Sequence, residues 1–259
     1  MLVVVAFTQR ERIIAQKRQQ GARERHLMAS EPSEPIVVAI DGPSGVGKSV
    51  AARKLAQALG FHYVPSGAMY RAVGWLVESH AVSLRDNDRI AALVTETPIE
   101  VALCPGQAAV WVHGRDISEA LTGEAVGRAA SAVATLSMVR QVVTAQLRRL
   151  RCQGSLVMEG RDIGTVVFPD ADVKFFLDAS LEVRARRRWQ EMRQAGCGDT
   201  FEEVRQALAA RDEQDRARAL APLVPAADAR VIDTADFSID AVVQTMVSET
   251  QHNILRGNG

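Results

Sequence analysis

The sequence predicts an α/β fold: a central parallel five-stranded sheet covered by helices on both faces, with a small antiparallel β insert and a helical flap. Three observations carry this. Short apolar, β-branched runs recur between longer helical stretches, the pattern of a parallel sheet buried on both sides. The first of these runs empties into a glycine-rich turn with good helix formers behind it. Midway along the chain the apolar period changes abruptly to alternation, so an antiparallel unit interrupts the βα order.

Taken in order, residues 1–34 stand apart. Arg10, Arg12, Lys17, Arg18, Arg23 and Arg25 crowd a stretch with few apolar residues after Ile14. Three readings stand, a solvated basic tail, a tail that touches nucleic acid and a misassigned start with Met28 as the first residue, and the first and last are favoured. Ile36-Val-Val-Ala-Ile40 is the first strand, and Gly42-Pro-Ser-Gly-Val-Gly-Lys-Ser49 follows directly. Strand, glycine-rich loop and helix (50–59) in that order make a phosphate loop, and with it a P-loop NTPase fold. Gly42, Gly45 and Gly47 let main-chain N–H groups close on phosphate oxygens, with the positive end of the helix behind them. Pro43, Ser44 and Val46 complete the loop. Lys48 reaches the β and γ phosphates, and the Ser49 hydroxyl ligates Mg²⁺. A nucleoside triphosphate therefore binds here.

Phe61-His-Tyr-Val64 is the second strand, and Ser66 is expected to cap a helix over 68–80 whose core face is Met69, Ala72, Val73, Leu76 and Val77. Arg71 lies off that face. A further helix spans 86–96. Runs 98–103 and 108–113, joined by Cys104-Pro-Gly-Gln107, form a hairpin, with a turn at Gly114 into a third short strand. Helices are expected at 119–135 and 137–151, then buried strands at 155–158, 173–177 and 230–233. Between the last two, the cation-dense helix 181–194, the turn Ala195-Gly-Cys-Gly-Asp199 and a helix over 201–215 read as a hinged flap.

Composition narrows the function classes. Formal net charge is zero and aromatics are 5% of the 259 residues, which argues against nucleic acid or a membrane surface as the main partner. The three cysteines, Cys104, Cys152 and Cys197, lie far apart without any C-x-x-C pair, so they form neither a disulfide framework nor a zinc site. They fit a reducing compartment. The apolar opening of the chain is too short for a membrane span or signal core, and the expected localisation is cytoplasmic.

Glu159-Gly-Arg-Asp-Ile-Gly164 stands at the end of a central strand, where open α/β sheets place their ligands. Two cationic clusters flank the flap: Arg184, Arg186, Arg187 and Arg188, then Arg211, Arg216 and Arg218. Planar donors of this kind stabilise the charge that builds on a transferring phosphoryl group.

The phosphate loop, Ser66-Gly-Ala-Met-Tyr-Arg71, the hairpin, Glu159-Gly-Arg-Asp-Ile-Gly-Thr-Val-Val-Phe-Pro169 and Arg211-Asp-Glu-Gln-Asp215 through Ala221-Pro-Leu223 occur in that order. Together they resemble the bacterial cytidylate kinases, a family of nucleoside monophosphate kinases, from about Ile36 to Val247. The long stretch from Gly160 to Pro169 and the hairpin carry most of the specificity. The resemblance implies transfer from ATP·Mg²⁺ to CMP or dCMP. The expected partners are small molecules only, and a monomer is expected although oligomeric state is not written in the sequence. It implies a core at 35–64, 131–185 and 201–259, an NMP-binding domain at 65–130 containing the hairpin, and a lid at 186–200. It places Ser131, Arg140 and Asp162 on the cytosine, Arg71 and Arg161 on the acceptor phosphate, and Arg211 and Asp215 on the sugar. Ser66 and Arg218 complete the acceptor site, while Lys48, Arg161 and the lid arginine Arg188 act on the phosphoryl group. Cytosine presents an amino donor where uracil presents an acceptor, so a carboxylate such as Asp162 accepts from the first and repels the second. Pro65, Glu159 and Gln214 depart from the family pattern. The first stands where an acidic residue is expected.

Overall fold

The computed structural model describes residues 34–104 and 107–257. The expectations for residues 1–33 and for the centre of the 104–107 turn lie outside them. Strand β1 (Val37–Asp41) is buried along its whole length. It lies at the centre of a five-stranded sheet of order β2-β6-β1-β7-β8, where β2 is His62–Pro65, β6 Leu156–Glu159, β7 Val173–Asp178 and β8 Arg230–Asp233. Every neighbouring pair in this sheet is parallel.

Alternation along the strands sorts side chains to opposite faces. Val37 and Ala39 of β1, with Leu156 and Met158 of β6, join one core; Val38 and Ile40, with Val157, join the other. A strand flanked by strands and covered on both sides has no solvent face, which is why these runs are continuously apolar. Helix α1 (Lys48–Leu59) packs on the second core. Helices α2 (Ser66–Ser79), α4 (Glu124–Val133) and α5 (Ser137–Arg149) pack on the first, together with α3 (Asn87–Glu96), whose N-terminus Asp86 caps through its bond from Arg89 N.

The expected hairpin is β3 (Ile99–Cys104) against β4 (Gln107–Val112), with β5 (Arg115–Asp116) as the third strand. Val110 and Val112 point into the first core, so the insert is packed on the body of the protein. Helices α6 (Leu181–Gln194) and α7 (Phe201–Arg216) form an antiparallel arm with a small core of its own, Ala185, Val204 and Leu208 flanked by Trp189 and Phe201. Ser180 caps α6, and a Thr200–Glu203 capping box starts α7.

Two local expectations are corrected, and one element is added. Ser66 is not a side-chain cap: α2 begins at Ser66 itself with Pro65 in the cap position, and Ser66 is buried. The helix expected over 119–135 is broken, because Gly123 adopts an extended conformation (φ −60°, ψ 147°) between a 3₁₀ turn at Ser118–Thr122 and α4. The C-terminal stretch, for which the sequence reading assigns no element, forms α8 (Ile239–Gly257), seated on the second core by Val242, Val243 and Met246.

One contact positions the cleft wall. A Cβ on Gly74 of α2 would lie 2.8 Å from Ala130 N and 2.9 Å from Val126 O, so the two helices touch backbone to backbone. Gly74→Ala is expected to destabilise the protein by about 1–3 kcal/mol through overpacking. Denaturant unfolding of the variant checks this; an unchanged midpoint would show that α4 moves aside freely.

Candidate active site

The C-terminal ends of β1, β2 and β6 open on a cleft of about 500 Å³. Its floor is the loop between β1 and α1. Gly42 takes φ +148°, and a Cβ there would sit 2.1 Å from Leu177 O, so only glycine lets the loop pass under β7. Gly47, in the left-handed region at φ 97°, turns the chain into α1. Ser44, Gly45, Gly47, Lys48 and Ser49 line the cleft; Gly42, Pro43 and Val46 are buried beneath it. Lys48 Nζ donates to Pro43 O at 2.7 Å. Burial, with Arg161 nearby, pushes its pKa down to about 7 against the pull of Glu159 and Asp41. An anion with several oxygens at the loop reverses that balance.

Glu159 ends β6 in register with Ile40 and with Pro65. Its Oε1 accepts from the Ser49 hydroxyl at 2.9 Å. Where the resemblance leads one to expect an acid at position 65, the carboxylate beside Ser49 therefore comes from the neighbouring strand. A hydroxyl and a carboxylate oxygen side by side are hard oxygen donors of the kind Mg²⁺ takes together with phosphate oxygens and water.

The Arg161 and Asp162 side chains are adjacent in sequence yet are paired with other residues. Arg161 Nη2 donates to Ser44 Oγ at 2.7 Å and Nε to Asp215 Oδ2 at 2.9 Å, so one guanidinium ties the phosphate loop to α7. Asp162 pairs with Arg140, and both are buried. Burial pushes the Asp162 carboxyl up, opposed by the guanidinium groups of Arg140, Arg218 and Arg161. Arg140 also donates to Ala134 O at 3.2 Å and lies 5.7 Å from the Tyr70 ring centroid. Burial holds that phenol up at about 12, so it stays neutral at physiological pH. Arg218 pairs with Asp215, the same carboxylate that holds Arg161.

All the residues expected at the acceptor site line this cleft: Ser66, Arg71, Ser131, Arg140, Arg161, Asp162, Arg211, Asp215 and Arg218, with Arg188 at its rim. The flap arginines divide into different jobs. Arg188 is half exposed and bonded to Glu191. Arg184, by contrast, is buried and structural: it donates to Ala179 O and Ser44 O and pairs with the buried Asp212 at 2.6 Å. Arg187 is spent on Thr234 and Ala235, and Arg186 on Glu182. The sequence counts Arg184 among the cations facing a phosphoryl group, and burial against Ser44 O and Asp212 removes it from that set. It gives no role to Tyr70 or Asp212, or to Asp41, whose carboxylate accepts from the amides of Ile163 and Gly164. The one available signal was position: Asp41 directly precedes the loop.

A parallel sheet centred on β1, a glycine loop with its lysine, and a ring of arginines facing that loop define a kinase of the phosphate-loop class. Comparison with known proteins narrows the class. The Cytidylate kinase family model matches residues 38–252. A cytidylate kinase from Cupriavidus necator is 42% identical over 80% of this chain and 91% of its own. One from Rhodococcus opacus is 44% identical over 80% and 91%, and one from Desulfitobacterium hafniense 42% over 82% and 91%. The chain belongs to the cytidylate kinase family.

Proposed function

We propose that the protein phosphorylates CMP and dCMP at the expense of ATP, giving CDP or dCDP and ADP. The observation that carries this is the single guanidinium of Arg161, bonded at once to Ser44 of the phosphate loop and to Asp215 beside the acceptor site. Donor and acceptor phosphates meet at that group. An acceptor phosphate oxygen attacks the γ phosphorus while the bond to the β-bridging oxygen breaks and ADP leaves; no covalent enzyme intermediate is needed. Lys48 and Arg188 follow the charge on the moving group, and Arg71 and Arg161 clamp the acceptor phosphate. Arg211 and Asp215 take the sugar, with Arg218 and Ser66 beside them. Asp162, held by Arg140 with Ser131 close by, accepts from the cytosine amino group.

In this reading residues 65–130 are the NMP-binding domain and 186–200 a lid that closes over a core at 35–64, 131–185 and 201–259, shutting out water. Ser49 and Glu159 would hold Mg²⁺, which would supply charge neutralisation at the nucleotide phosphates. Glu159→Gln is expected to raise the Mg²⁺ concentration needed for half-maximal rate about tenfold, as a carboxylate ligand is replaced by a weaker one. Titration of rate against Mg²⁺ checks it, and an unmoved midpoint would assign the metal elsewhere. We further propose a cytoplasmic monomer acting on small molecules. No helix among the described residues is long and apolar enough to cross a membrane.

The decisive measurement is coupled product formation with ATP and a panel of acceptors. CMP and dCMP are expected to outpace UMP and AMP. Preference for AMP would end the cytidine reading, and ATP turnover equal with and without acceptor would mark a hydrolase instead.

A further inference from the structure

Asp41 is the last residue of β1 and is 4% exposed. Its carboxylate reaches the segment that follows β6, the neighbouring strand. Oδ1 accepts from Ile163 N and Oδ2 from Gly164 N, each at 2.8 Å. Those amides open a single π-helical turn, Ile163–Val167, in which Val167 N bonds to Asp162 O and Phe168 N to Ile163 O. The first amides of such a turn have no carbonyl to receive them.

The residue in the cap position of this turn is Asp162, with φ −146°. An aspartate there ordinarily accepts from the N–H two or three residues on, here Gly164 or Thr165. Asp162 does not. Its carboxylate turns the other way, pairs with Arg140 and lines the cleft.

We infer that Asp41 is a positioning residue for base selection: by capping the π turn from β1, it frees the Asp162 carboxylate from capping that turn and leaves it held against Arg140, facing the acceptor. This rests on the base-reading role proposed for Asp162. The two carboxylates divide one local demand. The amides at 163 and 164 are buried and need acceptors, and a second carboxylate stands one residue away. An Asp162 carboxylate that took the Gly164 amide would be lost to the cleft.

The surroundings are built for the longer reach. A Cβ at Gly164 would lie 3.4 Å from Asp41 Oδ2, an ordinary contact, and 3.2 Å from Lys174 Cδ, so a side chain there presses first on the Lys174 stem beside the cap. The charged groups around Asp41 are Lys48 from α1, Asp162 itself, and the stem of Lys174 from β7, whose Nζ is turned to Asp228 and Pro169 O. Burial pushes the Asp41 carboxyl up to about 6, so at neutral pH it remains ionised. That is the acceptor-only form two N–H donors require.

The test uses the full-length protein. Asp41→Asn keeps the size of the side chain but presents an NH₂ to one of the two amides. It is expected to raise KM for CMP about tenfold and to cut the preference for CMP over UMP about tenfold, with KM for ATP changed less than twofold. A merely structural loss lowers the active fraction without moving that ratio. Unchanged KM and preference, or KM values for ATP and CMP rising together, would overturn the inference. Should the Asn variant not fold, amide exchange in the unmodified protein decides. In the unmodified protein, hydrogen exchange at the amides of Ile163 and Gly164 must be slow without nucleotide; rapid exchange there removes the cap. A wild-type protein that ignores CMP refutes the proposed function instead, and leaves the cap to be judged on the exchange rates.

Discussion

Lys48→Ala is expected to lower phosphoryl transfer by about 10²- to 10³-fold, the loss typical of removing one preorganised donor from a developing charge. The protein should stay folded, and in the absence of nucleotide its stability at neutral pH should be unchanged or higher. Lys48 is buried, and its pKa in the folded protein lies near 7, far below the usual lysine value. The unfolded chain therefore binds this proton more tightly than the folded one. Below about pH 7 the buried cation is a full cost to the native state, and that cost is relieved as pH rises from about 7 toward the unfolded value of 10.5. Unfolding of the nucleotide-free wild type should thus become harder across that window, and the alanine variant should lack this component of the slope. Near-normal turnover in the variant would remove the lysine from the chemistry.

The second large effect is expected at Asp162. Asp162→Ala removes the partner of a guanidinium that is 6% exposed. Truncating one member of a buried pair leaves the other charge without compensation, which typically costs about 3–5 kcal/mol. Arg140 keeps only its bond to Ala134 O and its place beside the Tyr70 ring. On the functional side, preference for CMP over UMP should fall by about 10- to 100-fold, the value of one well-placed base contact. The two effects separate by experiment. Denaturant unfolding reads the first, and the ratio of kcat/KM values for the two acceptors reads the second. A destabilised variant with an intact ratio would leave Asp162 as a structural partner of Arg140 and take the base-reading role away from it.

Local chemistry made part of this site legible along the chain. The phosphate loop is contiguous, since its glycines, lysine and serine act through main chain and side chains within one turn, and its strand and helix announce themselves by period. The arginine and aspartate after β6 were also readable, because a strand end in a parallel sheet is where ligands gather. Pro-Ser-Gly has the composition of a turn and suggests a cap at Ser66, whereas the helix that Ser66 begins is fixed by packing of Met69, Val73 and Leu76 into the core. The break at Gly123 is hidden for the opposite reason: the apolar pattern of 119–135 runs through it.

Residue identity along the chain determined the class of fold, the phosphate cradle and the inventory of arginines and carboxylates. It left open which member of that inventory does what. Arg184 and Arg188 are the same residue one helical turn apart on α6, yet the first is sealed against Ser44 O and Asp212 while the second stands at the rim of the cleft. Glu159 reaches Ser49 across 110 positions, and Asp41 reaches Gly164 across 123. Those pairings follow from the register of β6 beside β1 and from the arm of α6 and α7 lying against the loop. Such contacts join distant segments whose spacing in sequence carries no energy, so only burial and hydrogen bonding in the assembled fold select them.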